Sequence, residues 1–157
     1  MSDDVRFTTV DAASERAQWA MAQYFAELDA RFADGFDPGD ALVEAAIALN
    51  PPNGAFVVAT REDDVVGCGG IQFLDGDRAE IKRMWVGAQA RGLGLGKRIL
   101  AHLEGEINAS GRATVVLDTN QSLTEAIAMY RSRGYELIDR YNDNPYAQLW
   151  FAKSLPL

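Results

Sequence analysis

One cysteine, Cys68, stands in the 157 residues, so no disulfide can form within the chain, and a reducing cytoplasm is the compartment it suits. One histidine, His102, is present. With no second imidazole and no Asp/His ligand spacing among the acids, no metal is expected. No apolar run approaches the roughly 20 residues of a membrane span, and the opening "MSDDVRF" has no apolar run behind it. Neither a membrane partner nor a secretory leader is expected. Basic residues are in deficit: 15 Lys+Arg against 23 Asp+Glu give a formal net charge of -8, which disfavours nucleic acid as a partner. Repeats, low-complexity tracts and linkers long enough to part domains are also missing, so a single domain over 1–157 is expected.

What is present is a patterned mixture of helix and strand. A short strand is expected over 5–10. Ser14 to Ala33 reads as a helix, with Met21, Phe25, Leu28 and Phe32 as its buried stripe. Trp19 lies off that stripe, either a lid over packing or a contact for substrate or partner. Asp37 is placed to cap a second helix beginning at Pro38, which "NPPNG" then stops. "GAFVVATR", "VVGCGGIQFL" and "AEIKRMWV" read as three strands in meander order, the last two joined at Asp75-Gly76. Leu100, Leu103 and Ile107 mark a helix, and "ATVVLD" is apolar enough for burial on both faces. Ser122 and Glu125 have capping-box spacing before another helix, which ends at Gly134 ahead of two final strands, "YELIDRY" and "AQLWFAK". The expected class is α/β (α+β): a mixed, mostly antiparallel six- to seven-stranded sheet with helices on both faces.

Between the third meander strand and its helix lies "MWVGAQARGLGLGKRIL", 84–100. Its glycines fail the spacing of a dinucleotide-binding fingerprint, and Lys97 is followed by Arg98 where a Walker loop needs Ser or Thr. What remains is R-x-x-G-x-G between strand and helix. Unpaired N–H groups at a helix start, the helix dipole and small residues suit a diphosphate. Arg91 and Lys97 add charge. The bland alternative is a flexible turn carrying solvated cations.

The stretch Val86 to Lys97 resembles the acyl-CoA pyrophosphate motif, Q/R-x-x-G-x-G/A, of the GNAT superfamily of N-acetyltransferases, with Arg91, Gly94 and Gly96 at the fixed positions. "AEIKRMWV" resembles that family's central strand, and "EAIAMYRSRGYELI" its late helix and following strand. The similarity runs from about Gly54 to Lys153 and is weak over the preceding residues, which form the variable acceptor side. The resemblance implies a GNAT-like acyl-CoA N-acyltransferase fold and an N-acetyltransferase with acetyl-CoA as cosubstrate. It implies that Arg91, Gly92, Leu93, Gly94, Leu95, Gly96 and Lys97 hold the pyrophosphate. The backbone of Met84, Trp85 and Val86 would pair with the pantetheine arm and polarise the thioester carbonyl. Tyr130 stands in A-x-x-x-Y-x-x-x-G-[FY], filled by Ala126, Tyr130, Gly134 and Tyr135. There it would touch the cosubstrate and protonate the departing thiolate as general acid.

Glu80 matches a glutamate that acts as base in the histone-acetylating branch of the family. On a regular strand Glu80, Lys82, Met84 and Val86 share one face, so a structural Glu80–Lys82 ion pair is the competing reading. Leu123 stands where many relatives have an asparagine against the pantetheine amide. Asn120, three residues earlier, either reaches that group or only ends the strand.

The acceptor is expected opposite the CoA arm: a primary amine of a small molecule such as an amino acid, polyamine or aminoglycoside. Tyr141, Asn144 and Tyr146 stand on a turn able to cover it. Glu27, Asp29, Asp34, Asp37 and Asp40 gather acid that either prefers a cationic amine or is solvated. A protein or peptide acetyltransferase and a non-catalytic acyl-CoA-binding sensor are the alternatives. A short closed final hairpin counts against the first, and Tyr130 against the second. The resemblance also admits a homodimer.

Overall fold

The structure, a computed structural model, describes residues 4–156. In chain order the elements are β1 (Val5–Val10), α1 (Glu15–Arg31), α2 (Ala41–Ala48), β2 (Gly54–Arg61), β3 (Asp64–Phe73), β4 (Arg78–Val86), α3 (Leu95–Ala109), β5 (Thr114–Thr119), α4 (Thr124–Ser132), β6 (Glu136–Ile138) and β7 (Leu149–Ser154), with a short 3-10 turn at Ala88–Ala90. The seven strands form one sheet in the order β1-β2-β3-β4-β5-β7-β6. Every neighbouring pair is antiparallel except β4 and β5. This is the mixed, mostly antiparallel sheet expected from the sequence. Among the described residues no helix is long and apolar enough to cross a membrane.

Alternation along the strands divides the core in two. Phe56, Val58 and Cys68 pack with Met21, Phe25 and Leu28 of α1 on one face. Val57, Ala59 and Ile71 pack with Ile99, Leu103 and Ile107 of α3 on the other. Covered on both sides, β2 and β3 are nearly continuous apolar runs. The glycines of "GCGG" serve this packing. A Cβ on Gly67 would stand 2.8 Å from both Ile99 Cδ1 and the Trp85 carbonyl oxygen. Without one, α3 settles close on β3 with its first turn beside the end of β4.

Two irregularities create the site. The first is a short parallel ladder: β4 and β5 share only the pairs Arg78–Thr114, Ala79–Val115 and Glu80–Val116, so β4 beyond Glu80 has an open edge on that side. The second is a bulge in β4. Cys68 pairs with Trp85 and Gly70 with Lys82, so Arg83 and Met84 together stand opposite Gly69. Arg83 takes a left-handed φ of 59°, which non-glycine residues seldom adopt.

The bulge corrects the regular strand assumed from the sequence. Ala79, Ile81, Met84 and Val86 all pack with the α3 cluster, whereas Arg83 stacks on Phe25 of α1. Glu80 and Lys82 alternate with Ala79 and Ile81, so they stand on the α1 face, opposite Met84 and Val86. One extra residue has reversed the alternation.

Ser14 caps α1, its side chain accepting from the Ala17 N–H at 3.3 Å. Two other expected caps are replaced. The second helix opens at Ala41 rather than Pro38, and Asp37 accepts from the Gly39 N–H at 2.9 Å within the preceding turn. The capping box of α4 does not form: Ser122 Oγ donates to Asn120 at 2.6 Å, and Glu125 pairs with Arg31 at 2.7 Å. The arginine offers that carboxylate a charge-assisted bond in place of one to a backbone N–H.

Candidate active site

Where β4 leaves β5, a cavity of about 370 Å³ runs from the glycine loop to α4. Met84, Trp85 and Val86 line it, as do Arg91, Gly92, Gly94, Leu95, Gly96, Lys97 and Tyr130. Of the site residues expected from the sequence, Leu93, Asn120 and Glu80 are not on this wall. Leu93 is 62% exposed.

Gly94 immediately precedes α3 at φ 74° and gives it no side-chain cap. The first α-helical bond runs from the Arg98 N–H to the Gly94 carbonyl at 3.2 Å. The N–H groups of Leu95, Gly96 and Lys97 therefore have no partner inside the helix. A Cβ on Gly92 or Gly94 would meet nothing within 4 Å, so the ground before these donors is open. Open space, bare donors and the positive helix end fit a diphosphate. Gly96 differs: a Cβ there would lie 3.1 Å from Met129 Sδ, so its role is close packing of α3 on α4.

Arg91 already has partners. Its Nε donates to the Val86 carbonyl at 3.2 Å, and Nη2 is ion-paired with Glu27 of α1. Glu27 also meets Arg31 at 3.4 Å, and Arg31 reaches Glu125 of α4. Arg91, Glu27, Arg31 and Glu125 thus form a charged row tying the loop to α1 and α1 to α4. The hydrogen bond to Arg31 holds the Glu125 carboxyl below its usual pKa, and the same bond raises that of Arg31.

Tyr130 lies where this cavity meets a second one, of about 500 Å³; Tyr24, Leu28, Met84, Leu123 and Ala126 also line both. Its ring is buried against Tyr135 and Phe151, with centroids 5.8 and 6.1 Å away. Burial, and then the neighbouring Tyr24 and Asp118, push its pKa above the ordinary tyrosine value, so the hydroxyl keeps its proton. Tyr135 is used differently. Its hydroxyl donates to Glu104 at 2.7 Å, and Lys153 meets the same carboxylate at 3.1 Å. These partners satisfy a carboxylate inside the core. Tyr130 makes no such bond among the described residues.

Glu80 lines the second cavity and is buried. Its Oε2 accepts from Tyr141 Oη at 2.6 Å and from Asn142 Nδ2 at 3.2 Å. Lys82 Nζ is 3.7 Å from Oε1 and donates to Gln72 at 3.3 Å, so the ion pair weighed from the sequence is present. Burial first, and then the Glu80 charge, raise the pKa of Tyr141, which therefore remains a donor to Glu80. Asn142 and Asn144 hold Asp118 at 2.6 and 3.2 Å.

The turn between β6 and β7 closes this cavity. Tyr146 Oη accepts from the Asp37 N–H at 3.2 Å, and its ring lies 4.6 Å from that of Phe36. Asn120 stands here and not on the first cavity. Its Nδ2 donates to the Tyr146 carbonyl at 2.8 Å, so its side chain tethers the turn to the strand end. Leu123 presents an apolar wall instead. Of the gathered acids, Glu27 lines the first cavity and Asp37 the second; Asp29 accepts from the Phe36 N–H at 2.8 Å, and Asp34 and Asp40 line neither. Cys68 is buried with its thiol on the Arg83 carbonyl at 3.2 Å, and burial raises its pKa. Among the described residues no group of three or more His, Cys, Asp or Glu is placed to hold a metal ion.

Tyr24 and Arg31 were not singled out as cavity residues by the sequence, and Glu27 was weighed only among the acids for a cationic amine. The signal was available. Tyr24, Glu27, Leu28 and Arg31 fall at i, i+3, i+4 and i+7, a helical row beside the buried stripe.

The sequence profile of the acetyltransferase (GNAT) family matches residues 15–135. An "IAA acetyltransferase" of Azospirillum brasilense is 35% identical over 130 residues, 82% of this chain and 84% of that protein. Among solved structures, an acetyltransferase of the GNAT family from Staphylococcus aureus Mu50 superposes with TM-score 0.84 at 16% identity, over 98% of this chain and 100% of that one. A GNAT family acetyltransferase from Elizabethkingia anophelis with acetyl-CoA bound superposes with TM-score 0.72 at 15% identity, also over 98% and 100%.

Proposed function

The chain belongs to the GNAT family of acetyltransferases and is an acetyl-CoA-dependent acyltransferase; from that premise we propose that a single domain over residues 1–157 acetylates the primary amine of a small molecule by direct attack, with Tyr130 as general acid. The observation that carries the small-molecule reading is the closure of the second cavity by Tyr146 against Phe36 and Asp37. An extended peptide needs an open groove at that point. Direct attack is supported by the position of the chain's one thiol, Cys68, inside the core of the α1 face.

Acetyl-CoA supplies the activated acetyl thioester. The N–H groups of the glycine loop, with Arg91 and Lys97, hold its diphosphate. The open edge of β4 at Met84 to Val86 offers main-chain groups to the pantetheine arm and an N–H to the thioester carbonyl; removing a donor of that kind costs about 3–4 kcal/mol of barrier. Tyr130 holds a proton at Oη for the departing sulfur. Glu80 receives the amine's proton. Its Oε2 is taken by Tyr141 and Asn142, which leaves Oε1, on the Lys82 side, as the atom open to an ammonium.

The direct test is a thiol-release assay with acetyl-CoA against a panel of amino acids, polyamines, aminoglycosides and lysine-containing peptides. Turnover is expected with a small primary amine and not with the peptides. Turnover on peptides alone would replace the proposal with its protein-acetylating alternative. The charged row makes a second prediction. A diphosphate has to compete with Glu27 for Arg91, so Glu27→Gln is expected to tighten acetyl-CoA binding by about three- to tenfold in calorimetry. Unchanged or weaker binding would show that the pair does not oppose the ligand.

A further inference from the structure

Arg83 is the cation of the acceptor cavity whose charge is unanswered. Its Nε is buried with no hydrogen-bond partner among the described residues. The guanidinium lies over the Phe25 ring, 5.3 Å from the centroid, and lines the cavity. Among the described residues no carboxylate that lines the cavity is paired with Arg83: Glu44 is exposed, and Asp37 accepts from the Gly39 N–H. Glu80 has Tyr141, Asn142 and Lys82; Asp118 has Asn142 and Asn144. Leaving a buried guanidinium N–H without a partner is costly. The same residue also bears the left-handed φ of the β4 bulge. Backbone strain of this kind persists where the surroundings impose it, often at ligand sites. Both burdens fall on the residue that the bulge turns onto the face of Glu80 and Lys82.

The rest of the wall says what else the ligand carries. Phe25, Phe32, Phe36 and Tyr146 form a continuous ring cluster, with centroid separations from 4.6 to 6.0 Å. A polyamine or aminoglycoside would set further positive charge against Arg83 and bring no anion to pair with it. We propose that the acceptor is an aromatic α-amino acid whose carboxylate is bound by Arg83 and whose side chain lies against Phe32, Phe36 and Tyr146. This rests on the reading of the acceptor as a small primary amine. It assigns Arg83 to substrate selection, a role the sequence pattern did not suggest.

The test compares L-phenylalanine with phenethylamine, the same amine without the carboxylate, in wild type, Arg83→Gln and Arg83→Lys. The wild type is expected to favour L-phenylalanine in kcat/KM. In Arg83→Gln the ratio of the two should fall by about ten- to a hundredfold, the value of a charged hydrogen-bonded pair. Arg83→Lys should keep part of it. A wild type that prefers phenethylamine, or a Gln variant that lowers both substrates in proportion, overturns the proposal while leaving the small-amine reading standing. If neither amine is acetylated, titration of L-phenylalanine followed by NMR decides. Shifts at Phe36 and Tyr146 that vanish in Arg83→Gln support the site, and their absence in wild type overturns it. Should Arg83→Gln fail to fold, the wild-type preference between the two amines decides alone.

Discussion

Gly94→Val is expected to raise the dissociation constant for acetyl-CoA by about a hundredfold or more, with the melting temperature lowered by no more than a few degrees. Gly94 sits at φ 74°. A left-handed residue with a Cβ costs roughly 1–2 kcal/mol, and a β-branched one suffers most. The strain can be relieved only by turning the peptide at the head of α3, which moves the N–H groups that would face the diphosphate. Each charged hydrogen bond lost there is worth about 1.5–3 kcal/mol, so two suffice for the effect. The fold itself has no quarrel with the new methyls, because a Cβ at this position meets nothing within 4 Å. Calorimetry and thermal unfolding of the same variant separate the two effects. An affinity close to wild type would mean that the loop is not where the anion binds.

Tyr130→Phe is expected to lower kcat by about a hundred- to ten-thousandfold, the usual range for a lost general acid, with acetyl-CoA affinity changed little. The phenyl ring keeps its contacts with Tyr135 and Phe151, so the loss belongs to the hydroxyl. Because burial raises the pKa of Tyr130 above its usual value near 10, the proton stays in place as pH rises. No fall in wild-type rate from its ionisation is expected up to about pH 10. A variant with wild-type turnover, or a wild type that loses activity with a tyrosine-like titration well below that pH, removes Tyr130 from the role of acid.

The local parts of this protein were readable from sequence because they depend on local spacing. The stripe Met21, Phe25, Leu28 is buried as its 3–4 repeat requires, and the glycine loop sits between strand and helix as its flanks imply. Tyr130 reaches the cavity junction because A-x-x-x-Y places it on the inner side of α4. The long-range parts were not readable. Tyr141 reaches Glu80 across 61 positions and Arg91 reaches Glu27 across 64, and no periodicity reports such pairs. The capping box of α4 failed for the same reason: Arg31, far away in the chain, claimed Glu125. The bulge at Arg83 left no trace because no glycine, asparagine or aspartate marks its positive φ.

That bulge makes β4 intolerant of changes in length even where it tolerates changes in identity. Removing a single residue between Lys82 and Trp85 would restore regular pairing with β3 and leave Trp85 opposite Cys68 and Val86 opposite Gly67, but only one side chain would then stand where Arg83 and Met84 now serve opposite faces. For anyone building chimeras between this enzyme and a relative with a different acceptor, the joint must fall outside 82–85. A crossover within it that drops the extra residue leaves one side chain opposite Gly69 and removes the one that Arg83 sets over Phe25.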